Sequence, residues 1–259
     1  MLVNEKSKLM FDFEASEDLK EDLSKFTEKS AFMSTAKKCA VEAVGTFFLC
    51  SSIALTHGEP LAPLAIGLSL AVMVFAFGHI SGGHFNPAVT LAVFIRGGID
   101  YLSALSYTVA QLVGAFLGAA IQKEIFKAVV SEAQPADQII TWDIISFYPK
   151  SSAPFGTALI CEAMFTFALA IVVLNVATTK AQEKNSFFGL AIGMTVTVGA
   201  VAVGGVSGGA FNPAVGIALP AVHGITEDLV LYVLGPCLGA ATAAVFFRMT
   251  VDEKELKKE

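Results

Sequence analysis

Ile80-Ser-Gly-Gly-His-Phe-Asn-Pro-Ala-Val-Thr90 is written a second time, 126 positions later, as Val206-Ser-Gly-Gly-Ala-Phe-Asn-Pro-Ala-Val-Gly216. Eight of the eleven positions are identical, Asn86-Pro87-Ala88 and Asn212-Pro213-Ala214 among them. Each copy is a glycine-rich turn, then Asn-Pro, then a short apolar run, Ala88 to Ile95 or Ala214 to Leu219. Proline suits the first turn of a helix, where its missing N–H costs nothing, and asparagine is among the best residues to precede it. The pattern therefore predicts two helices too short to cross a bilayer about 30 Å thick. If they enter from opposite faces, their positive N-terminal ends meet near the middle.

Bulk composition places these half-helices in a membrane. The chain is 54% hydrophobic and 15% charged, with a mean hydropathy of +0.67, whereas soluble domains carry about 25% charged residues. Six stretches are long enough to span: Cys39 to Leu55, Ala62 to Phe77, Leu102 to Ile121, Gly156 to Thr178, Phe187 to Val203 and Leu229 to Phe247. The expected fold is all-α, with six transmembrane helices plus two half-helices. Lys37, Lys38, Arg96, Lys180, Lys184, Arg248, Lys254, Lys257 and Lys258 then share one side, the cytosolic one, and both termini lie there. Lys123, Lys127 and Lys150 fall in the connection from Lys123 to Pro154, mixed with acidic residues, and that connection is placed outside.

The chain divides into a cytosolic acidic tail (1–34), a membrane domain (35–249) and a C-terminal cytosolic tail (250–259). The first tail carries Leu19, Leu23 and Phe26 at helical spacing, a weakly amphipathic helix, and lacks the basic start and apolar core of a signal peptide. Half of the net charge of −6 sits there, and the acidic balance argues against nucleic-acid partners. Cys39, Cys50, Cys161 and Cys237 read as apolar filler, with no metal spacing. No catalytic triad, phosphate loop or cofactor motif stands in the chain, which is not expected to be an enzyme.

The repeat reaches beyond the signature. Glu42-Ala-Val-Gly-Thr46-Phe47 in the first span is echoed by Glu162-Ala-Met-Phe-Thr166-Phe167 in the fourth, so each copy holds three spans and one half-helix. Repeat one runs over about 39–121 and repeat two over about 156–247. Three is odd, so the copies are inverted in the membrane, an arrangement that builds midplane sites from broken helices. A glutamate inside a span is costly. Glu42 and Glu162 read either as a proton relay or as acceptors for turn N–H groups that have no helical partner, and the pairing of one glutamate with one turn favours the second. His79 and His84 read as lining or bracing residues, or as a pH-sensitive gate. Gly114-Ala-Phe-Leu-Gly118 and Gly235-Pro-Cys-Leu-Gly239 are expected at corresponding points of the copies, packing the halves together.

On the two Asn-Pro-Ala motifs, the lead-in Gly78 to His84, the paired glutamates and Ala110-Gln111, the chain resembles the major intrinsic protein family of aquaporins and aquaglyceroporins. The resemblance covers about Cys39 to Arg248. It implies an aquaporin-like homotetramer in the lipid bilayer, with one pore per subunit and passive passage of water and small neutral solutes, without cofactors. It also implies an outer selectivity filter at Ile66, Ala200, Gly209 and Val215. Most members carry arginine where Val215 stands, so this filter is expected to be wide and apolar. Valine there is similar to plant tonoplast intrinsic proteins, which implies urea, ammonia or hydrogen peroxide as further solutes. Gly216 and Ile217 replace the acidic residue of glycerol facilitators, which ranks glycerol lower. A secondary transporter and a weakly conducting junction or scaffold protein stand as alternatives, and the membrane, plasma or vacuolar, is left open.

Overall fold

A computed structural model describes residues 17–56, 58–133 and 151–255. The start of the acidic tail, the middle of the long connection with Asp137, Asp143 and Lys150, and Lys257 and Lys258 lie outside the described residues. The chain separates into two compact units, Met1–Lys37 and Lys38–Glu259. Within the first, residues from Glu17 onward are helical; the side chains of Leu19, Leu23 and Phe26 lie outside the description.

Among the described residues there are eight α-helices, in order: α1 (Glu17–Leu55), α2 (Ala62–Ser81), α3 (Pro87–Arg96), α4 (Tyr101–Ala133), α5 (Phe155–Thr178), α6 (Phe188–Ser207), α7 (Pro213–Val222) and α8 (Leu229–Thr250). Six contain segments long and apolar enough to cross a membrane, while α3 and α7 have ten residues each. The chain is an integral, multi-pass membrane protein. Helix α4 runs twelve residues beyond Ile121, into the stretch read as connection. Its polar last turns, with Lys123, Glu124 and Lys127, carry no apolar signal but are good helix formers. Helix α7 likewise continues past Leu219 through Pro220.

Local chemistry explains the breaks between α2 and α3 and between α6 and α7. Helix α2 ends at Ser81 because Gly82 adopts φ 91°, its N–H donating to Gly78 C=O; α6 ends at Ser207 with Gly208 at φ 94° and its N–H on Gly204 C=O. Left-handed backbone favours glycine at such ends. Four residues later the chain re-enters helix at an asparagine cap. Asn86 and Asn212 are extended, and their side-chain oxygens accept the N–H of Ala88 (2.8 Å) and Ala214 (3.0 Å).

The glycines of the paired small-residue motifs correct the sequence reading. A Cβ on Gly114 would lie 2.0 Å from the carbonyl oxygen of Ala43, and one on Gly239 would lie 2.1 Å from that of Ala163. Gly114 and Gly239 are therefore the equivalent positions, one turn away from the expected match of Gly114 with Gly235. They pack α4 on α1 and α8 on α5, inside each copy, not between copies. Contact between the copies runs through α2 and α6, where Gly67 and Gly193 meet backbone to backbone, and through the half-helices: α3 packs on α5 and α8, and α7 on α4. Each half-helix is thus held mainly by the other copy, and one core joins Leu49, Val74, Phe85 and Val93 to Leu174, Val215, Leu219 and Phe247.

Candidate functional site: two opposed turns and the cavities beside them

The turns before α3 and α7 cannot satisfy their own backbone, and each is met by a glutamate from the first helix of its copy. Glu42 Oε1 accepts the Ser81 hydroxyl (2.6 Å) and the His84 N–H (3.0 Å), while Oε2 accepts the Phe85 N–H (2.6 Å) and the Gln111 amide (2.8 Å). Glu162 Oε1 accepts the Ser207 hydroxyl (2.8 Å) and the Ala210 N–H (3.1 Å), and Oε2 the Phe211 N–H (2.7 Å). Both carboxylates are fully buried. Tyr107 and Tyr232 complete the pattern by donating their hydroxyls to the carbonyls of Ser81 (2.9 Å) and Ser207 (2.8 Å). These tyrosines were missed in the sequence, although they stand seven residues before Gly114 and Gly239.

Phe85 and Phe211 are left-handed at φ 49° and 48°, a conformation rare for a bulky residue. Their N–H bonds to the glutamates and their fully buried rings hold them there. A Cβ on Gly45 would come 2.2 Å from the Phe85 ring, so that ring lies over bare backbone of α1. Phe211 packs against Phe165, ring centroids 5.7 Å apart, and over Gly199.

The carbonyls of these two phenylalanines tie the turns together. Asn86 Nδ2 donates to Phe211 C=O at 2.8 Å, and Asn212 Nδ2 donates to Phe85 C=O at 2.9 Å. The N-terminal ends of α3 and α7 therefore meet head to head, each asparagine capping its own helix through oxygen and bracing the other turn through nitrogen. Pro87, Ala88, Pro213 and Ala214 form the first turns behind them.

Two cavities flank this junction. The first, of about 280 Å³, is lined by Ile66, Ala200, Gly209 and Val215 together with Asn86, Asn212 and His84. Its described lining contains no Asp, Glu, Lys or Arg. The second, of about 250 Å³, is lined by His79, His84 and Phe188 and by Gln182, Glu183 and Asn185 from the loop between α5 and α6. His84 and Val173 line both, so the cavities adjoin there. His84 is buried, with Nδ1 3.1 Å from the Thr90 hydroxyl and its ring edge-on to Tyr107. Among the described residues no group of three or more His, Cys, Asp or Glu could hold a metal ion.

The far ends of the half-helices carry cations. Lys123 Nζ donates to Val222 C=O (2.6 Å) at the end of α7, and Arg248 donates to Ile95 C=O (3.0 Å) near the end of α3. Arg96, buried in the last turn of α3, donates to Thr178 C=O. Cations at these C-terminal ends complement the negative ends of the helix dipoles.

Comparison with known proteins agrees with this architecture. The family model described as Major intrinsic protein matches residues 54–247. Glycerol uptake facilitator protein-like 6 of Lactiplantibacillus plantarum is 36% identical over 84% of this chain and 99% of its own. Nodulin-26 of Glycine max is 34% identical over 80% of this chain and 75% of its own, and Aquaporin NIP3-1 of Arabidopsis thaliana is 33% identical over 82% and 67%. The X-ray structure of the aquaglyceroporin from Plasmodium falciparum aligns with a TM-score of 0.70 at 21% identity, covering 83% of this chain and 96% of that one, a likeness of fold. The duplicated broken helices and the family match over most of the length lead to one assignment: the chain belongs to the major intrinsic protein family, a family of passive membrane channels and not of enzymes.

Proposed function

We propose that the two cavities are one permeation path, through which water and small neutral solutes cross passively, one path in each subunit of a homotetramer. The observation that carries this reading is the head-to-head meeting of α3 and α7 beside an uncharged cavity. A carboxamide nitrogen has two N–H groups. The cross-brace to Phe85 or Phe211 uses one and leaves one on each asparagine for a passing oxygen. Two positive helix ends at the same point repel cations, hydronium included. Around them the wall of Val, Leu, Ile and Ala side chains offers a solute little to bind, which favours fast transit.

Ile66, Ala200, Gly209 and Val215 form the selective ring of this path in our reading. None is charged or aromatic, which supports passage of urea, ammonia or hydrogen peroxide besides water. The similarity to a protein named for glycerol uptake adds glycerol to the solutes to be tested. Glu42 and Glu162 act as braces of the turns, since each already accepts at least three hydrogen bonds. His79 and His84 line the path at the second cavity, on the side that the bias of lysine and arginine makes cytosolic.

Stopped-flow light scattering on proteoliposomes, with water, urea and glycerol gradients run in parallel, tests the reading. Water flux well above that of liposomes holding an unrelated membrane protein is expected, without dependence on a proton or sodium gradient. Flux no greater than that control would end the channel reading.

A further inference from the structure

The seam between α1 and α4 is closed by bare backbone at Gly114 and again at Gly118. Gly114 faces the Ala43 carbonyl; a Cβ on Gly118 would lie 2.8 Å from the Phe47 carbonyl oxygen and 3.0 Å from the Ser51 hydroxyl. Residues four apart share a helix face. The next position of α4 on this seam is therefore Gln122, and α1 brings Ser51 and Ala54 beside it. Gln122 is 1% exposed, and neither its amide oxygen nor its amide nitrogen is hydrogen-bonded within the protein. The buried Ser51 hydroxyl oxygen is not either. Polar groups at this depth gain nothing from the surrounding hydrocarbon and need another partner.

Repeat two builds the same seam without polar groups. Glu42 matches Glu162 and Gly114 matches Gly239, so Ser51, Ala54 and Gln122 stand where α5 and α8 place Ile171, Leu174 and Phe247. Leu174 and Phe247 are fully buried, and Ile171 packs against the same core. Repeat one thus carries a smaller side chain at each of the three positions and a polar one at two of them. Cys50, in place of Ala170, takes back only a sulfur atom of that room. Polar partners and space of about 30 Å³ are the two conditions for a buried water.

We propose that Gln122 and Ser51 hold a bound water in a closed site between α1 and α4. A primary amide presents one N–H on the same side as its oxygen, so a single water accepts from Nε2 and donates to Oε1. The Ser51 hydroxyl supplies a third bond, the usual number for a buried water. Neither residue lines either cavity, so this water is a fixed part of the protein and not one in transit. It fills in repeat one the place that the Phe247 ring fills in repeat two. The site also adjoins the outer hold on α7, since the next residue, Lys123, bonds the Val222 carbonyl.

The test pairs an experimental structure at about 2 Å resolution or better, where ordered buried waters are seen, with thermal unfolding of variants in detergent. In the wild type, density should lie within hydrogen-bond reach of the Gln122 amide and the Ser51 hydroxyl, and it should vanish in Gln122→Met. Methionine nearly keeps the shape of glutamine, so this change removes the bonds and little of the packing. Gln122→Met should lower the unfolding temperature by about 2–6 °C, and Ser51→Ala by less. The double variant should fall no further than Gln122→Met, because both residues act through one water. Orphaned side chains would behave in the opposite way. A wild type without that density, a Gln122→Met protein at least as stable as wild type, or strictly additive losses in the double variant would each overturn the site.

Discussion

The two turns share one backbone and differ in what surrounds it. Repeat one is polar around its glutamate: Gln111 bridges the Glu42 carboxylate and the Thr90 hydroxyl, and Thr90 reaches His84. In repeat two the matching positions are Pro236, Gly216 and Ala210, and the space is closed by Tyr232, whose Cβ lies 2.3 Å from where a Cβ on Gly216 would stand. The aromatic packing is exchanged as well. Gly45 with Met73 in the first copy becomes Phe165 with Gly199 in the second, so bulk moves from one helix to its neighbour while the phenylalanine of the turn keeps its place. The hydrogen bonds from the glutamates to the turn N–H groups are the same in both copies, while several of the residues packed around them differ.

Removing the two glutamates should be the most damaging change, and unequally so. Glu42→Ala orphans the His84 and Phe85 N–H groups together with the Ser81 hydroxyl and the Gln111 amide, whereas Glu162→Ala orphans one donor fewer. At about 1–3 kcal/mol for each buried donor left without a partner, both cost several kcal/mol. Thermal unfolding in detergent should rank Glu42→Ala below Glu162→Ala, with each glutamine variant less affected than its alanine counterpart. Equal stability of the two alanine variants would erase the asymmetry claimed for the copies.

Steric closure in repeat two gives the next effect. Gly216→Ala forces a Cβ onto the root of Tyr232, which cannot swing aside as a side-chain tip could, and overpacking of this kind costs about 1–3 kcal/mol. Thr90→Ala, the matching change in repeat one, leaves the packing intact and removes a hydroxyl that serves Gln111 and His84. The first should lower the unfolding temperature more than the second. The reverse order would mean that the polar network of repeat one outweighs the packing of repeat two.

The paired valines after each Asn-Pro-Ala sharpen the comparison in function. Val89 and Val215 both border the first cavity, but in our reading only Val215 belongs to the selective ring. An arginine there adds a fixed cation with five donors to an apolar passage, which water can still use and urea meets as a steric limit. Val215→Arg should cut urea flux about tenfold relative to water flux. A folded variant with the wild-type urea-to-water ratio would remove the ring from that role.

These contrasts also show what could be read from the chain alone. The broken helices were legible because their signals are local: Gly-Gly for the stop, Asn-Pro for the restart, and a second copy to confirm both. Glu42 and Glu162 stood out because a buried carboxylate in an apolar run is expensive. The partners were harder. That Gly114 corresponds to Gly239 shows in the carbonyls of Ala43 and Ala163 beneath them, since both small-residue motifs read alike one turn off. Tyr107 and Tyr232 look like ordinary interface aromatics until their hydroxyls are seen on Ser81 and Ser207. The bond that the Lys180 N–H donates to the Glu255 carbonyl (2.9 Å) joins residues far apart in sequence with no periodicity to announce it. Gln111, Thr90 and His84 did leave a trace, three polar residues of repeat one facing Pro236, Gly216 and Ala210 in repeat two, but only an exact register of the copies exposes it.

The smallest difference lies where each copy starts its third spanning helix. Asp100 precedes α4 and caps it, one carboxylate oxygen accepting the Ser103 N–H (3.0 Å) and the other its hydroxyl (2.6 Å). Asp228 precedes α8 without capping it, and its carboxylate accepts the N–H of Ser151 (3.2 Å), in the segment that leads into α5. The Ser103 hydroxyl, then its N–H, holds the Asp100 carboxyl below its usual range. A carboxylate with a lowered folded value stabilises the fold fully above its unfolded value, near 4, and ceases to do so as pH falls through the lower one. Asp100→Ala should therefore cost about 0.5–1 kcal/mol near neutral pH, the low end for a cap because the group is exposed. The gap to wild type should close as the pH drops below about 4. Asp228→Ala should instead leave the start of α8 unchanged and speed hydrogen exchange at Ser151. A gap for Asp100→Ala that persists undiminished at pH about 3 would show that its contribution to α4 is not carried by the charged carboxylate.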